Sequence, residues 1–323
     1  MDALRNTVAG RVVLGVASVA ALVTLALVAA ARPAGAEGLD IEWVTVADPG
    51  NPSDATTGRG SVAEVFEISK HEVTRGQYAA FLSAVAATDP HGLWNGAQGI
   101  ARTSADGKFS YAVKAPNDRL PVATVSFLDA MRFANWLHHT QAGVPGGPPA
   151  PAALTETGAY DIAAGGGLVA RSPGALAWIP NEDEWYKAAY HQPHAAGGPA
   201  GHYWRYPTKS DERPADGKAG TPAPNQASFM VNEGDSTGQT AVGSFPGSAS
   251  HYGTLDQGGN VWEWVETTVF DSKRMLRGGS ALANHEHMLA PSRSNASPTK
   301  RYPDIGFRVA RRVPPAAPPA PTP

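Results

Sequence analysis

The chain has 323 residues with 26 Lys and Arg against 29 Asp and Glu, a formal charge of −3, and no cysteine. Disulfides, thiolate metal sites, iron–sulfur clusters and cysteine nucleophiles are therefore excluded, and the interspersed signs leave no basic face for nucleic acid. The 35 Gly and 28 Pro point to a loop-rich protein, while 8 Trp, 9 Tyr and 9 Phe supply the bulk for a sizeable core.

Arg5 and Arg11 precede an apolar run from Val12 to Ala31, followed by Arg32-Pro33-Ala34-Gly35-Ala36. Small residues at the −3 and −1 positions of a cut after Ala36 read as a signal peptide over residues 1–36, which implies a secreted or periplasmic protein. The alternative is an uncleaved anchor, because the run is just long enough to span a bilayer, and only that would tie the chain to a membrane.

Ile41 to Val46 alternates like a strand, and Asp48-Pro49-Gly50-Asn51-Pro52 closes it with turn chemistry; Val62 to Ser69 reads as a second strand. Three short amphipathic helices follow, each opened by a cap. Thr74-x-x-Gln77 precedes Tyr78, Phe81, Leu82 and Val85; Ser126-x-x-Asp129 precedes Met131, Phe133, Ala134, Trp136 and Leu137; Asn181-x-x-Glu184 precedes Trp185, Ala188 and Ala189. Gly143 to Pro151 and Pro193 to Gly201 read as surface loops. His138 and His139 sit well at a helix C-terminus, and His191 and His194 read as solvated. Met275 to Ala281 and Gly306 to Ala310 read as strands. A Pro- and Ala-rich stretch over 314–323 is expected to be an extended or disordered tail, which leaves one domain over 37–313.

Several of these stretches occur together in one known order. They are Glu72-Val73-Thr74-Arg75-Gly76-Gln77-Tyr78, Pro121-Val122 with Val125-Ser126 and Ala130-x-x-x-Ala134-x-Trp136, Pro180-x-Glu182-x-Glu184-Trp185-Tyr186-Lys187-Ala188-Ala189, Gly258-Gly259-Asn260-Val261-Trp262-Glu263-Trp264, Arg277-Gly278-Gly279-Ser280 and Gly306-Phe307-Arg308-Val309. In that order they resemble the formylglycine-generating enzymes, or sulfatase-modifying factors, from about Val62 to Arg311. The resemblance implies an α+β fold, a single C-type-lectin-like domain of that family's variant, with short helices, small antiparallel sheets and much irregular chain. Its relatives include copper-dependent formylglycine-generating enzymes, iron-dependent sulfoxide synthases, a periplasmic pyoverdine-maturation protein and ligand-binding lectin-like proteins, so the fold does not fix the activity.

The family's copper is held by two cysteines shortly after the Gly-Gly-Ser motif. Here Ala283 falls about where the first would stand, and no cysteine follows. Two other residues of that pocket, Trp262 and Ser280, do match, although a Trp beside a Gly-rich turn equally reads as core. The resemblance also implies calcium (Ca2+), held by Asp256, the carbonyls of Gly259 and Val261, and Glu263. Oxygen donors from a closely wound loop suit such a hard cation; the plainer reading has Glu263 capping a turn. A second ion would use Asn225, the carbonyl of Gln226 and Asp235. If the segment Asn284 to Met288 is extended, His285 and His287 share one face and could hold iron or copper, given a third ligand.

Two functions follow as expectations. One is a calcium-stabilised module without formylglycine-generating activity, whose loops around Asn284 to Arg293 receive an unknown ligand or protein. The alternative is a cysteine-independent iron or copper oxidoreductase of the same family.

Overall fold

In the computed structural model, which describes residues 39–140, 153–217, 219–232 and 238–314, all three capped segments are helices. The elements in chain order are β1 (Trp43–Val46), β2 (Phe66–Ser69), α1 (Arg75–Val85), β3 (Ala101–Ala105), β4 (Lys108–Ala112), α2 (Phe127–Thr140), α3 (Ala153–Glu156), α4 (Ile162–Gly165), β5 (Ala177–Trp178), α5 (Glu182–Tyr190), β6 (Ala215–Asp216), β7 (Gln226–Ala227), β8 (Trp262–Val269), β9 (Lys273–Arg277), β10 (Ser294–Ala296), β11 (Ile305–Phe307) and β12 (Ala310–Arg312). The signal segment, the stretch Gly143 to Pro151, Asp235 and the 315–323 part of the tail lie outside the described residues.

The caps work as their spacing requires. Thr74 and Gln77 exchange side-chain bonds with each other's backbone amides at the start of α1, as do Asn181 and Glu184 before α5. Ahead of α2 the Ser126 amide donates to Asp129 Oδ2 at 2.8 Å and the Asp129 amide to Ser126 Oγ at 3.1 Å. Each box meets amides that the first helical turn leaves without an internal partner.

Two four-stranded sheets form the frame, one in the order β1-β2-β12-β5 and antiparallel throughout, the other in the order β10-β9-β8-β11 with β11 parallel to β8. Gly306 to Ala310, which alternation reads as one strand, is two. β11 ends at Phe307 in the second sheet and β12 begins at Ala310 in the first, so Arg308 and Val309 cross between them. β9 stops at Arg277, short of the expected Ala281, because Gly278 and Gly279 take φ of 95° and 74°, which ends the ladder in a left-handed turn.

The helices pack on this frame through aromatic edges. Tyr78 and Phe81 of α1, Phe133 of α2 and Phe307 of β11 are all buried, with Phe133 centred 5.3 Å from Phe81 and 5.4 Å from Phe307 at steep interplanar angles. Trp264 of β8 is also fully buried and donates its indole N–H to the Val125 carbonyl.

His191, read from sequence as solvated, is only 2% exposed. It ends α5, stacks on Tyr252 and shares a 2.7 Å hydrogen bond with that phenol. Burial, aided by Lys187, pulls its pKa from 6.5 to about 4. The unfolded chain therefore binds a proton that the fold refuses, so this contribution to stability is complete above about pH 6.5 and is lost as pH falls towards 4. Thermal unfolding of wild type is expected to move down between pH 7 and 4.5, with a shallower slope for His191→Gln; identical slopes would exclude His191 as a source.

Candidate functional site

The centre of the molecule is an ion cluster where the chain crosses between sheets. Arg308 and Glu263 are each 0% exposed. Arg308 Nε donates to Glu263 Oε2 at 2.7 Å and Nη2 to Oε1 at 2.8 Å. The remaining guanidinium hydrogens go to the carbonyls of Ser69, Lys70 and Leu255, so all five donors are used. Trp185 Nε1 adds a third bond to the Glu263 carboxylate at 2.7 Å, which makes Glu263 a buried anion rather than a turn cap.

Two further acids adjoin this pair. Asp256, in the left-handed region with φ of 61°, accepts the Gly243 amide at 2.6 Å. Glu72 is 1% exposed, and neither of its carboxylate oxygens has a hydrogen-bond partner. Burial raises both carboxyls, Asp256 to about 6 and Glu72 well above the carboxylate range, with Asp256 and Glu263 adding like-charge repulsion at Glu72.

The calcium residues named from sequence are thus only partly together. Asp256 and Glu263 share the cluster, and the loop between them is tightly wound: a Cβ at Gly259 would collide with the Ser228 carbonyl, and Asn260 also has positive φ. In the second set, Asn225 Oδ1 accepts from Thr208 and its amide donates to the carbonyls of Glu212 and Arg213; Gln226 lies in β7, and Asp235 lies outside the described residues. Among the described residues no three His, Asp or Glu side chains converge on a point that could hold a metal ion.

Beyond the Gly278-Gly279 turn, Ser280 Oγ donates to Asp304 Oδ2 at 2.9 Å. The segment that follows is not extended. Asn284 caps a single 3₁₀ turn over His285–Met288, its side chain accepting the Glu286 amide. In a 3₁₀ turn, residues two apart point about 120° from each other. His285 accordingly meets Tyr206 OH at 3.0 Å and the edge of Phe229, whereas His287 lies against the Trp262 ring at 5.4 Å. The two imidazoles do not share a face.

A concavity lies beside the next residues of this loop. Tyr203, Trp204, Arg205 and Asp211 face Leu289–Pro291 across a groove of about 460 Å³, with Asp54–Thr56 at its end. Its walls are held from behind. Trp204 donates its indole N–H to Gln192, which fixes the ring and leaves its π face for contact. Tyr203 OH accepts from Asn51 and donates to the Pro52 carbonyl, and Asp54 accepts from Tyr186 OH and the Thr56 amide. The floor is tied down by Arg277, which donates to the carbonyls of Ala290 and Ser292, and by Arg293, which grips buried Glu182 at 2.8 and 2.7 Å. The groove residues come from separate segments, and of them the sequence pointed only to Leu289–Pro291, inside the loop Asn284 to Arg293.

The sulfatase-modifying factor enzyme 1-like domain matches residues 41–313. Among solved structures, the crystal structure of CarF is 22% identical with a TM-score of 0.56, covering 85% of this chain and 100% of that one. Treponema denticola variable protein 1 is 21% identical with a TM-score of 0.52, covering 84% and 95%. PvdO from Pseudomonas aeruginosa is 20% identical with a TM-score of 0.47, covering 84% and 92%. At these identities the likeness concerns the fold. No curated protein matches the chain.

Breaking the central pair tests its weight. Arg308→Met leaves Glu263 as a buried charge without its counterion and is expected to cost ~3–5 kcal/mol in denaturant unfolding. Adding Glu263→Gln should recover part of that loss; strictly additive effects would mean that the two groups do not interact.

Proposed function

The chain belongs to the sulfatase-modifying factor enzyme 1-like family, and on that premise we propose that it is an exported, calcium-stabilised, ligand-binding member without formylglycine-generating activity. One observation carries the reading: the loop after Ser280 has no thiol, and the side chains present there point apart. His285 turns to Tyr206 and His287 to Trp262, so neither replaces a cysteine pair. Ser280 and Trp262 then serve structure, Ser280 through Asp304 and Trp262 as the surface on which His287 rests.

The groove beside Leu289–Pro291 is the binding site in this reading. It belongs to the loop Asn284 to Arg293, it is held rigid by Arg277 and Arg293, and its aromatic wall with polar ends suits a peptide or glycan that brings both apolar and hydrogen-bonding surface. Rigid walls limit the entropy lost on binding. Export follows from the signal-like residues 1–36. Calcium would be held by Asp256, the carbonyls of Gly259 and Val261, and the lone pair that Arg308 leaves on Glu263 Oε1; the same reading gives a second ion to Asn225, Gln226 and Asp235. The ion would supply structural cross-linking.

The purified protein is expected to take up no oxygen and to leave a cysteine-bearing sulfatase peptide unconverted, with iron and copper far below stoichiometric by elemental analysis. Stoichiometric iron or copper together with oxygen uptake would overturn the binding reading. In glycan and peptide library screens, Trp204→Ala should lower affinity for wild-type hits at least tenfold with an unchanged melting temperature; unaltered affinity would move the site elsewhere.

A further inference from the structure

Glu72 sits between β2 and α1 at 1% exposure, and among the described residues neither of its carboxylate oxygens has a hydrogen-bond partner. A buried carboxylate without a donor is costly, so the position calls for a donor from beyond those residues. Nearby cations are committed elsewhere. Arg308 spends all five N–H groups on Glu263 and on carbonyls, Lys70 donates to Glu42, and Arg119 donates to the Val242 carbonyl. His71 brings no charge at neutral pH, because burial, with Arg308 nearby, lowers its pKa to about 4.

Glu72 lines a cavity of about 60 Å³ together with Asp40, Glu42, His71, Gln77 and Arg119. That space holds a water or two, or one small polar group, and three carboxylates face it against one guanidinium. The first described residues are anchored at this cavity. Gln77, which completes the α1 capping box, donates Nε2 to the Asp40 carbonyl at 2.7 Å, and Leu39 packs on the main core. A cut after Ala36 leaves only Glu37 and Gly38 ahead of Leu39. Three residues reach at most about 10 Å, so the new α-amino group stays within that distance of Asp40, and Gly38 lets the chain fold back.

We infer that the cavity beside Glu72 is a binding site for a primary ammonium, and that its occupant is the α-amino group which signal cleavage creates at Glu37. The ammonium donates to the Glu72 carboxylate and neutralises it; its remaining hydrogens go to water or main-chain carbonyls. The inference rests on the export reading, since a chain that keeps residues 1–36 has no ammonium at this place. It makes processing part of folding: the mature domain gains an ion pair, and the precursor keeps Glu72 as a buried acid alone, which is the costlier state.

The test compares two purified chains that both run to Pro323, one beginning at Glu37 and one with a Gly-Ser extension ahead of it. The readouts are acylation of the α-amine by an activated ester at neutral pH, and melting temperature. In the chain beginning at Glu37 the α-amine should acylate at least tenfold more slowly, because pairing and burial both withhold its lone pair, and that chain should melt a few degrees higher. Glu72→Gln should restore fast acylation and remove the difference in melting, whereas Glu42→Gln at the exposed rim should change neither. The extended chain keeps the comparison decisive if Glu72→Gln does not fold. Equal acylation rates and equal melting in the two chains would overturn the assignment and leave export intact. A chain recovered from the exporting cell with residues 1–36 still attached would overturn this inference and the export reading together, without touching the groove.

Discussion

Everything in this fold is arranged about one buried ion pair. Arg308 sits where the chain leaves the second sheet for the first, and its five donors reach Glu263 of β8, two carbonyls at the end of β2 and the carbonyl of Leu255. Glu263 in turn holds Trp185 of α5. One guanidinium therefore joins both sheets, a helix and the 255–263 loop. Such a pair contributes less to net stability than its contacts suggest, since both charges had to leave water. What it supplies is register: only one crossing geometry satisfies all five N–H groups.

The same cluster separates this chain's structural chemistry from its surface chemistry. Inside, Glu72, Asp256 and Glu263 adjoin a single Arg308, while the loop after Gly278-Gly279 lies at the edge of the second sheet. Arg277 and Arg293 clamp that loop to α5 through Glu182 and to its own carbonyls. The clamped loop lies beside an indole that is itself hydrogen-bonded to Gln192, and the two line one groove. His285 and His287 part for a local reason: the 3₁₀ turn capped by Asn284 sends them to different neighbours.

Much of the frame was legible in the sequence. The three capping boxes appear where Thr74, Ser126 and Asn181 predicted them, because a cap is a contact between residues three apart and needs no tertiary information. Family membership was legible too, from ordered motifs rather than periodicity. Less legible were elements decided by distant partners. Alternation could not divide Gly306 to Ala310 between two sheets, and loop composition could not reveal that Tyr252 and Tyr203 cover His191.

By itself the sequence determined the absence of thiol chemistry, the helix starts, the family and the acids and arginine that its motifs carry. Tertiary structure alone decided which of those groups meet. Glu72 stands 191 positions from Glu263, and Arg308 a further 45, so no local spacing could pair the second and third while leaving the first without a partner. The groove likewise exists only because Asp54, Trp204 and Leu289 converge from three segments. The physical reason is range: caps and turns are set by neighbours along the chain, whereas charge compensation and cavities depend on every element that packs around them.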